Sequence, residues 1–140
     1  MKNNTQKIVI LALLASLLLI LLSSCSAPGL SSAFNEEEVK QAAEKVVTLL
    51  NNQDTDGLRA IFTEQMDAAI TDEVFGQIFS ALAEGGKFLE IEDMAVFGST
   101  DKSSGEEFAV ATVRAVYDMK TFTYTISFDK DMRLAGLYYK

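Results

Sequence analysis

Thr121-Phe122-Thr123-Tyr124-Thr125-Ile126-Ser127-Phe128 alternates without a break. In an extended chain Phe122, Tyr124, Ile126 and Phe128 fall on one side and Thr121, Thr123, Thr125 and Ser127 on the other, because successive strand side chains point to opposite faces. The large apolar set calls for a core on one face. The hydroxyl set suits a face that meets water.

Working outward, Ala109, Ala111, Val113, Ala115 and Tyr117 repeat the same period within Glu107–Tyr117. A two-residue turn at Met119-Lys120 puts this row on the same face as the aromatic row. The small alanines then leave room opposite the aromatics. Further upstream, Phe88–Gly98 reads as a strand whose imperfect alternation predicts a bulge, followed by a polar turn over Thr100–Gly105. Downstream, Asp129–Met132 turns the chain into a last strand, Arg133–Tyr139. Four strands joined by short turns make an antiparallel meander that needs a cover on its apolar face.

Before Gly86 the apolar period is helical. Asn35-Glu36-Glu37-Glu38 has the form of a capping box, with Asn35 accepting from the third helical N–H and Glu38 reaching back. Val39, Ala42, Ala43, Val46, Val47, Leu49 and Leu50 follow at helical spacing to about Asn51-Asn52. A short second helix is expected after Asp54-Thr55-Asp56, with Leu58, Ile61 and Phe62 on one face. Thr71 caps a third, bearing Val74, Phe75, Ile78, Phe79 and Leu82, which Gly85-Gly86 stops. The fold class is therefore α+β, with N-terminal helices packed on a curved four-stranded antiparallel meander over residues 34–140.

The start of the chain has a different character. Met1–Lys7 is polar with two lysines. Ile8–Leu22 is a 15-residue apolar run broken only by Ser16, short for a spanning helix and right for a signal-peptide core. It ends in Leu22-Ser23-Ser24-Cys25, which looks like a lipobox: a branched apolar residue, two small residues that let a peptidase approach, and a cysteine whose thiolate takes a diacylglyceryl group. Cleavage between Ser24 and Cys25 is expected, with residues 1–24 as signal peptide and 25–33 (Cys25 plus an uncharged, Pro-containing stretch) as a flexible tether. Palmitate-like acyl chains on Cys25 then hold the protein on the extracytoplasmic face of a membrane. An uncleaved span from Ile8 to about Leu30 and ordinary secretion are the competing readings.

Composition excludes several function classes. Lys2 and Lys7 are the leader's only charges, so the remainder carries 10 of the 12 basic residues and all 20 acidic ones, a net −10. Such a surface repels phosphate backbones, and no nucleic-acid partner is expected. Cys25 is the only cysteine, and there is no His. Intrachain disulfides are excluded, and the commonest zinc ligand and general base are missing. No cofactor and no metal are expected.

Ala43-Glu44-Lys45-Val46-Val47, Asp54-x-x-Gly57-Leu58, Phe62 with Met66, and Leu82-x-x-x-Gly86-x-Phe88 resemble the bacterial domain-of-unknown-function family 3887. So does Ile126-x-Phe128-Asp129-x-Asp131-x-x-Leu134-Ala135-Gly136-Leu137. The element order is similar to the cystatin-like roll of the nuclear transport factor 2-like superfamily. The resemblance runs from about Phe34 to Tyr138. A typical family member has Gly where Met132 stands. The superfamily resemblance implies a conical pocket between sheet and helices. Relatives range from isomerases and dehydratases to plain binding modules, so the resemblance implies a fold and no particular reaction.

Individual residues point the same way. Glu36-Glu37-Glu38 suits a helix N-terminus. Asp129-Lys130-Asp131 lacks the remaining ligands of a calcium loop and reads as a hairpin turn. Glu90, Glu92 and Asp93 sit on a strand face or its bulge. Gly85-Gly86 is no phosphate loop, and Arg114 belongs to the face opposite the alanines. Tyr117 and Tyr124, with Phe122, Ile126 and Val113, are the candidate pocket, since an inward Tyr needs a partner for its hydroxyl. Tyr138 and Tyr139 complete the tyrosines. Asp118, the nearest acid to the pair, falls in a turn and is expected to face water. The reading that results is a lipid-anchored, non-catalytic binding or protein-interaction module for a small apolar ligand or a protein partner. A small isomerase-like or dehydratase-like enzyme with a Tyr/carboxylate pocket is the alternative. A homodimer through the Thr- and Val-rich outer sheet face is the third.

Overall fold

The computed structural model describes residues 29–140. The expected signal peptide, Ser24 and Cys25 lie outside the described residues. Helices α1 (Glu36–Asn51), α2 (Thr55–Ile61), α3 (Glu64–Ala69) and α4 (Asp72–Ala83) precede strands β1 (Phe88–Thr100), β2 (Glu107–Tyr117), β3 (Thr121–Phe128) and β4 (Leu134–Tyr139). The strands form one antiparallel sheet in the order β1-β2-β3-β4, the α+β arrangement expected.

Each helix starts on a side chain that takes up an orphan N–H. Asn35 Oδ1 accepts from Glu38 N at 3.1 Å and Asp54 Oδ1 from Gly57 N at 2.8 Å. Thr63 Oγ1 accepts from Met66 N at 3.2 Å and Thr71 Oγ1 from Val74 N at 3.4 Å. Thr63 opens α3, a helix the sequence reading did not contain. Six residues are too few to show a helical period, and α3 buries only Met66. Arg59 ties the short helices together: its guanidinium lies 5.1 Å from the centre of the Phe75 ring and pairs with Asp67 at 2.7 Å and Asp72 at 3.0 Å.

The sheet departs from the expected register in one place. Val116 pairs with Thr121, and Tyr117 N donates to the Lys120 carbonyl at 2.9 Å. The turn residues are therefore Asp118-Met119, not Met119-Lys120. The register slips by two residues, an even number, so the alanine and aromatic rows still share a face. The bulge expected in β1 is present twice, between Phe88 and Glu90 and between Ile91 and Asp93.

That shared face holds the core. The helix α1 packs on β1 and β2, and its buried Val39, Ala43, Val46, Val47 and Leu50 join one cluster with Ala109, Ala111, Val113, Ala115, Tyr124, Ile126 and Phe128. The room the alanines leave is filled by helix side chains. At the far end of the helical layer, Gly86 adopts φ +80, and its carbon lies where a Cβ would sit 3.1 Å from Asp118 Cβ. The β2–β3 hairpin can therefore bond to this turn: Met119 N donates to the Gly85 carbonyl at 2.8 Å, and Lys87 N to Asp118 Oδ2 at 3.2 Å. At the opposite end, Gly29 and Leu30 cross the inner side of β1. A Cβ on Gly98 would lie 2.5 Å from the Gly29 carbonyl oxygen, so only glycine admits this close approach.

Candidate functional site

Val113, Tyr124 and Ile126 are fully buried and Phe122 nearly so. These four candidate pocket residues belong to the packed core rather than to an open concave wall, because α1 occupies the space before them. Tyr117, also buried, differs in bordering a cleft of about 90 Å³ with Leu50, Asn51, Gln53, Phe79, Leu82 and Gly86. The hydroxyls of Tyr117 and Tyr124 are 2.7 Å apart. Burial, and then the bond to Tyr117, hold the Tyr124 hydroxyl protonated far above the ordinary tyrosine range. The two rings sit among aromatic neighbours, Tyr117 edge-on to Phe122 at 5.1 Å and to Phe88 at 5.5 Å.

The acids nearest the sheet's turns and faces are committed elsewhere. Asp118 is exposed and accepts from Lys87 N. Asp129 Oδ1 accepts from the N–H groups of Asp131 at 3.0 Å and Arg133 at 2.8 Å, so it holds the last turn together. Glu92 pairs with Arg114 on the exposed face. Glu84 pairs with Lys120 at 2.6 Å and Glu107 with Lys130 at 2.8 Å, and each lysine holds its partner's pKa below the usual carboxylate range. Among the described residues no group of acids is arranged to hold a metal ion.

The other face of the sheet offers a surface. The register aligns its side chains in cross-strand rows. Ala95, Thr112, Thr125 and Tyr138 form one row, and Phe97, Val110, Ser127 and Gly136 the next. Val110 is 6 % exposed although it lies outside the main core cluster. Tyr138, by contrast, stands 63 % exposed. One row away from it, Ser99, Phe108, Val110, Ser127, Ala135 and Gly136 line a hollow of about 220 Å³. The patch is apolar or hydroxyl-bearing and carries no charge. Charges flank it: Asp93, Arg114 and Lys140 beyond one row, and the Lys130–Glu107 pair toward the other end of the sheet. An apolar centre with a charged rim is the anatomy of a docking surface. The sequence reading named this face only for its Thr and Val content. The knob at Tyr138 and the hollow beside it depend on the β3–β4 register, which includes a bulge at Ser127/Phe128.

No helix among the described residues is long and apolar enough to cross a membrane. No curated protein matches the chain. An NMR structure of a protein from Ruminococcus gnavus ATCC 29149 is similar in fold, with a TM-score of 0.70 at 19% identity, over 80% of this chain and 96% of that one. The family described as "Protein of unknown function (DUF3887)" matches residues 43–137. That span runs from the middle of α1 to within β4 and takes in nearly the whole helical cover and sheet, so the chain belongs to this family.

Proposed function

We propose that this protein is a lipid-anchored, extracytoplasmic docking module that receives a protein partner on the outer face of its sheet. The observation that carries the reading is the uncharged patch around Val110. It is a continuous uncharged surface of small, hydroxyl-bearing and aromatic side chains beside a 220 Å³ hollow, on a face that no described helix packs against. The inner face is filled, and the cleft beside Tyr117 is small, about 90 Å³. Protein docking is therefore better supported than capture of an apolar small molecule. The anchor rests on the sequence: a signal-length apolar run ending in Leu22-Ser23-Ser24-Cys25. Two or three acyl chains on Cys25 would give stable attachment to the bilayer surface. The roll is in keeping with the resemblance to the nuclear transport factor 2-like superfamily, whose members range from isomerases and dehydratases to plain binding modules.

The enzyme alternative requires a proton acceptor beside the tyrosine pair. Tyr117 and Tyr124 bond to each other, and Asp118 is turned to solvent, so the docking reading is preferred. Two measurements test it. Cys25→Ala should abolish fatty-acid labelling and leave an uncleaved precursor; unchanged labelling would remove the anchor from the proposal. Hydroxyl-radical footprinting of the whole protein should modify Phe97, Phe108 and Tyr138 several-fold less in native membranes than after extraction and dilution. Met119, exposed at the hairpin tip, should react equally in both. Equal reactivity of all four would remove the docking surface.

A further inference from the structure

We infer that the partner received on this face is an integral membrane protein, which meets the hollow with the stretch of chain just outside its spanning segment; this rests on the lipid-anchored docking reading above and specifies its partner. The place where the chain enters the domain sets the height of the hollow. Leu30 and Phe34 pack against the core cluster, and Phe34 N donates to the Ser31 carbonyl at 3.0 Å. The Gly29 carbonyl lies on Gly98, where a Cβ would meet it at 2.5 Å. Only residues 25–28 therefore separate the lipid-bearing cysteine and the sheet. Such a leash spans at most about 14 Å.

That entry point and the hollow are back to back. Gly98 pairs with Ala109, on the inner side. The hollow is lined by Ser99 and Phe108, one residue toward the β1–β2 turn, and by Val110, Ser127 and Gly136, one residue away from it. Both features thus share one height along the strands. The lipid on Cys25 would sit where headgroups meet acyl chains, and the headgroup layer is about 5–7 Å deep. The hollow then opens within about 10 Å of the headgroup surface. From Gly98 to Ser103 the chain reaches at most about 17 Å, so the β1–β2 turn touches the headgroups. Met119, in the hairpin at the other end of β2, stands roughly 30 Å farther off. The net charge of −10 beyond the leader opposes tipping the domain on to an anionic headgroup layer, which keeps the strands upright.

An upright sheet presents its outer face sideways, to whatever stands beside it in the same membrane. A spanning helix that continues past the headgroups covers 10 Å in about seven residues, so its first two outer turns lie level with the hollow. The lining suits a ring with an apolar body and a polar tip. Phe108, Val110 and Ala135 supply apolar walls, and Ser99 and Ser127 supply hydroxyls. Tyr and Trp are such side chains and are enriched at membrane–water interfaces. A cavity of roughly 150 Å³ accepts a benzene-sized ring, and the hollow measures about 220 Å³. Confinement of both proteins to one bilayer raises their effective concentration and lets a small contact be populated.

The test uses the whole protein in its own membranes, with the photo-crosslinking analogue p-benzoylphenylalanine replacing one residue at a time. At Lys102, in the β1–β2 turn, irradiation should give phospholipid adducts several-fold more often than at Met119, the exposed tip of the far hairpin. Equal or reversed yields would overturn the upright pose and the inference with it. At Tyr138, exposed beside the hollow, the adduct should be with an integral membrane protein and map within about seven residues of a spanning segment. Ten prolines inserted between Pro28 and Gly29 lift the domain by about 31 Å and should cut that adduct several-fold. An adduct with a soluble protein or a second copy, or one that survives the spacer, would overturn the membrane partner and leave docking intact. No adduct at Tyr138 would overturn docking as well. Absence of fatty-acid labelling at Cys25 would overturn the anchor, and this inference with it.

Discussion

Replacing Tyr117 and Tyr124 by Phe, singly and together, reads the direction of the hydrogen bond between them. Two hydroxyls 2.7 Å apart carry two protons, and only one can lie between the oxygens. The other needs an acceptor of its own. Tyr124 is sealed from solvent, whereas Tyr117 borders the cleft beside Leu50 and Gly86. The arrangement that leaves nothing orphaned has Tyr124 donating to Tyr117 and Tyr117 donating into the cleft, where water can accept. Tyr124→Phe then removes one neutral hydrogen bond, a loss of about 0.5–1.5 kcal/mol. Tyr117→Phe removes the same bond and also strands a sealed donor, which costs about 1–3 kcal/mol. The difference, about 1 kcal/mol, corresponds to roughly 4 °C in Tm for a domain of this size. In the double variant no donor is stranded, so it should be no worse than Tyr117→Phe alone, with a coupling of at least about 1 kcal/mol. Urea denaturation followed by circular dichroism measures all three. If Tyr124→Phe proves the more damaging single change, the bond runs the other way. If the two losses simply add, the hydroxyls do not interact.

Met132 occupies the left-handed region at φ 57, where a side chain is strained by about 1–2 kcal/mol. Met132→Val should lower stability by a further 1–2 kcal/mol, because branching at Cβ suits that conformation least. Met132→Gly should be near neutral or stabilising, since backbone relief offsets the lost half-buried side chain; a large loss in the glycine variant would show that the packing outweighs the strain. Asp101 accepts from the Ser103 hydroxyl first, then from Ser104 and Ser103 N–H and the Ser104 hydroxyl, and its carboxyl is held at about 2. A carboxyl depressed below its unfolded value of about 3.9 stabilises the fold above that pH, and the contribution is lost as pH falls from about 4 toward 2. Asp101→Asn should flatten the stability profile in that window and leave it unchanged in slope near neutrality; an identical acid limb in the two proteins would argue against this.

The strands were legible because their signal is local. Thr121–Phe128 states its own two faces, and the interrupted alternation after Phe88 announces the bulges that appear on either side of Glu90. The helix starts at Asn35, Asp54 and Thr71 were legible for the same reason, since a cap acts within three residues. Features that depend on distant parts of the chain were not. The alanines of β2 suggest space opposite the aromatics, and nothing local says that Val46 and Leu50 of α1 will occupy it. The bond between Tyr117 and Tyr124 requires two side chains from paired strands to lean toward each other. The hollow beside Gly136 requires the final register of β4, so the surface on which the proposed function rests became visible only in three dimensions. The family's glycine at the position of Met132 was a sequence-level hint that the backbone there is left-handed, and the structure supplies the reason.

The contact between Gly29 and Gly98 has a mechanical consequence. It brings the chain in at the end of the sheet where β1 pairs with Ala109, while Lys140 leaves beside Thr123 at the other. Tension between those points is directed along the strands and at right angles to the hydrogen bonds of the β3–β4 ladder. Such a load shears the rungs together instead of peeling them one at a time, so the sheet would resist stretching along this axis better than an equal force pulling its edge strand sideways.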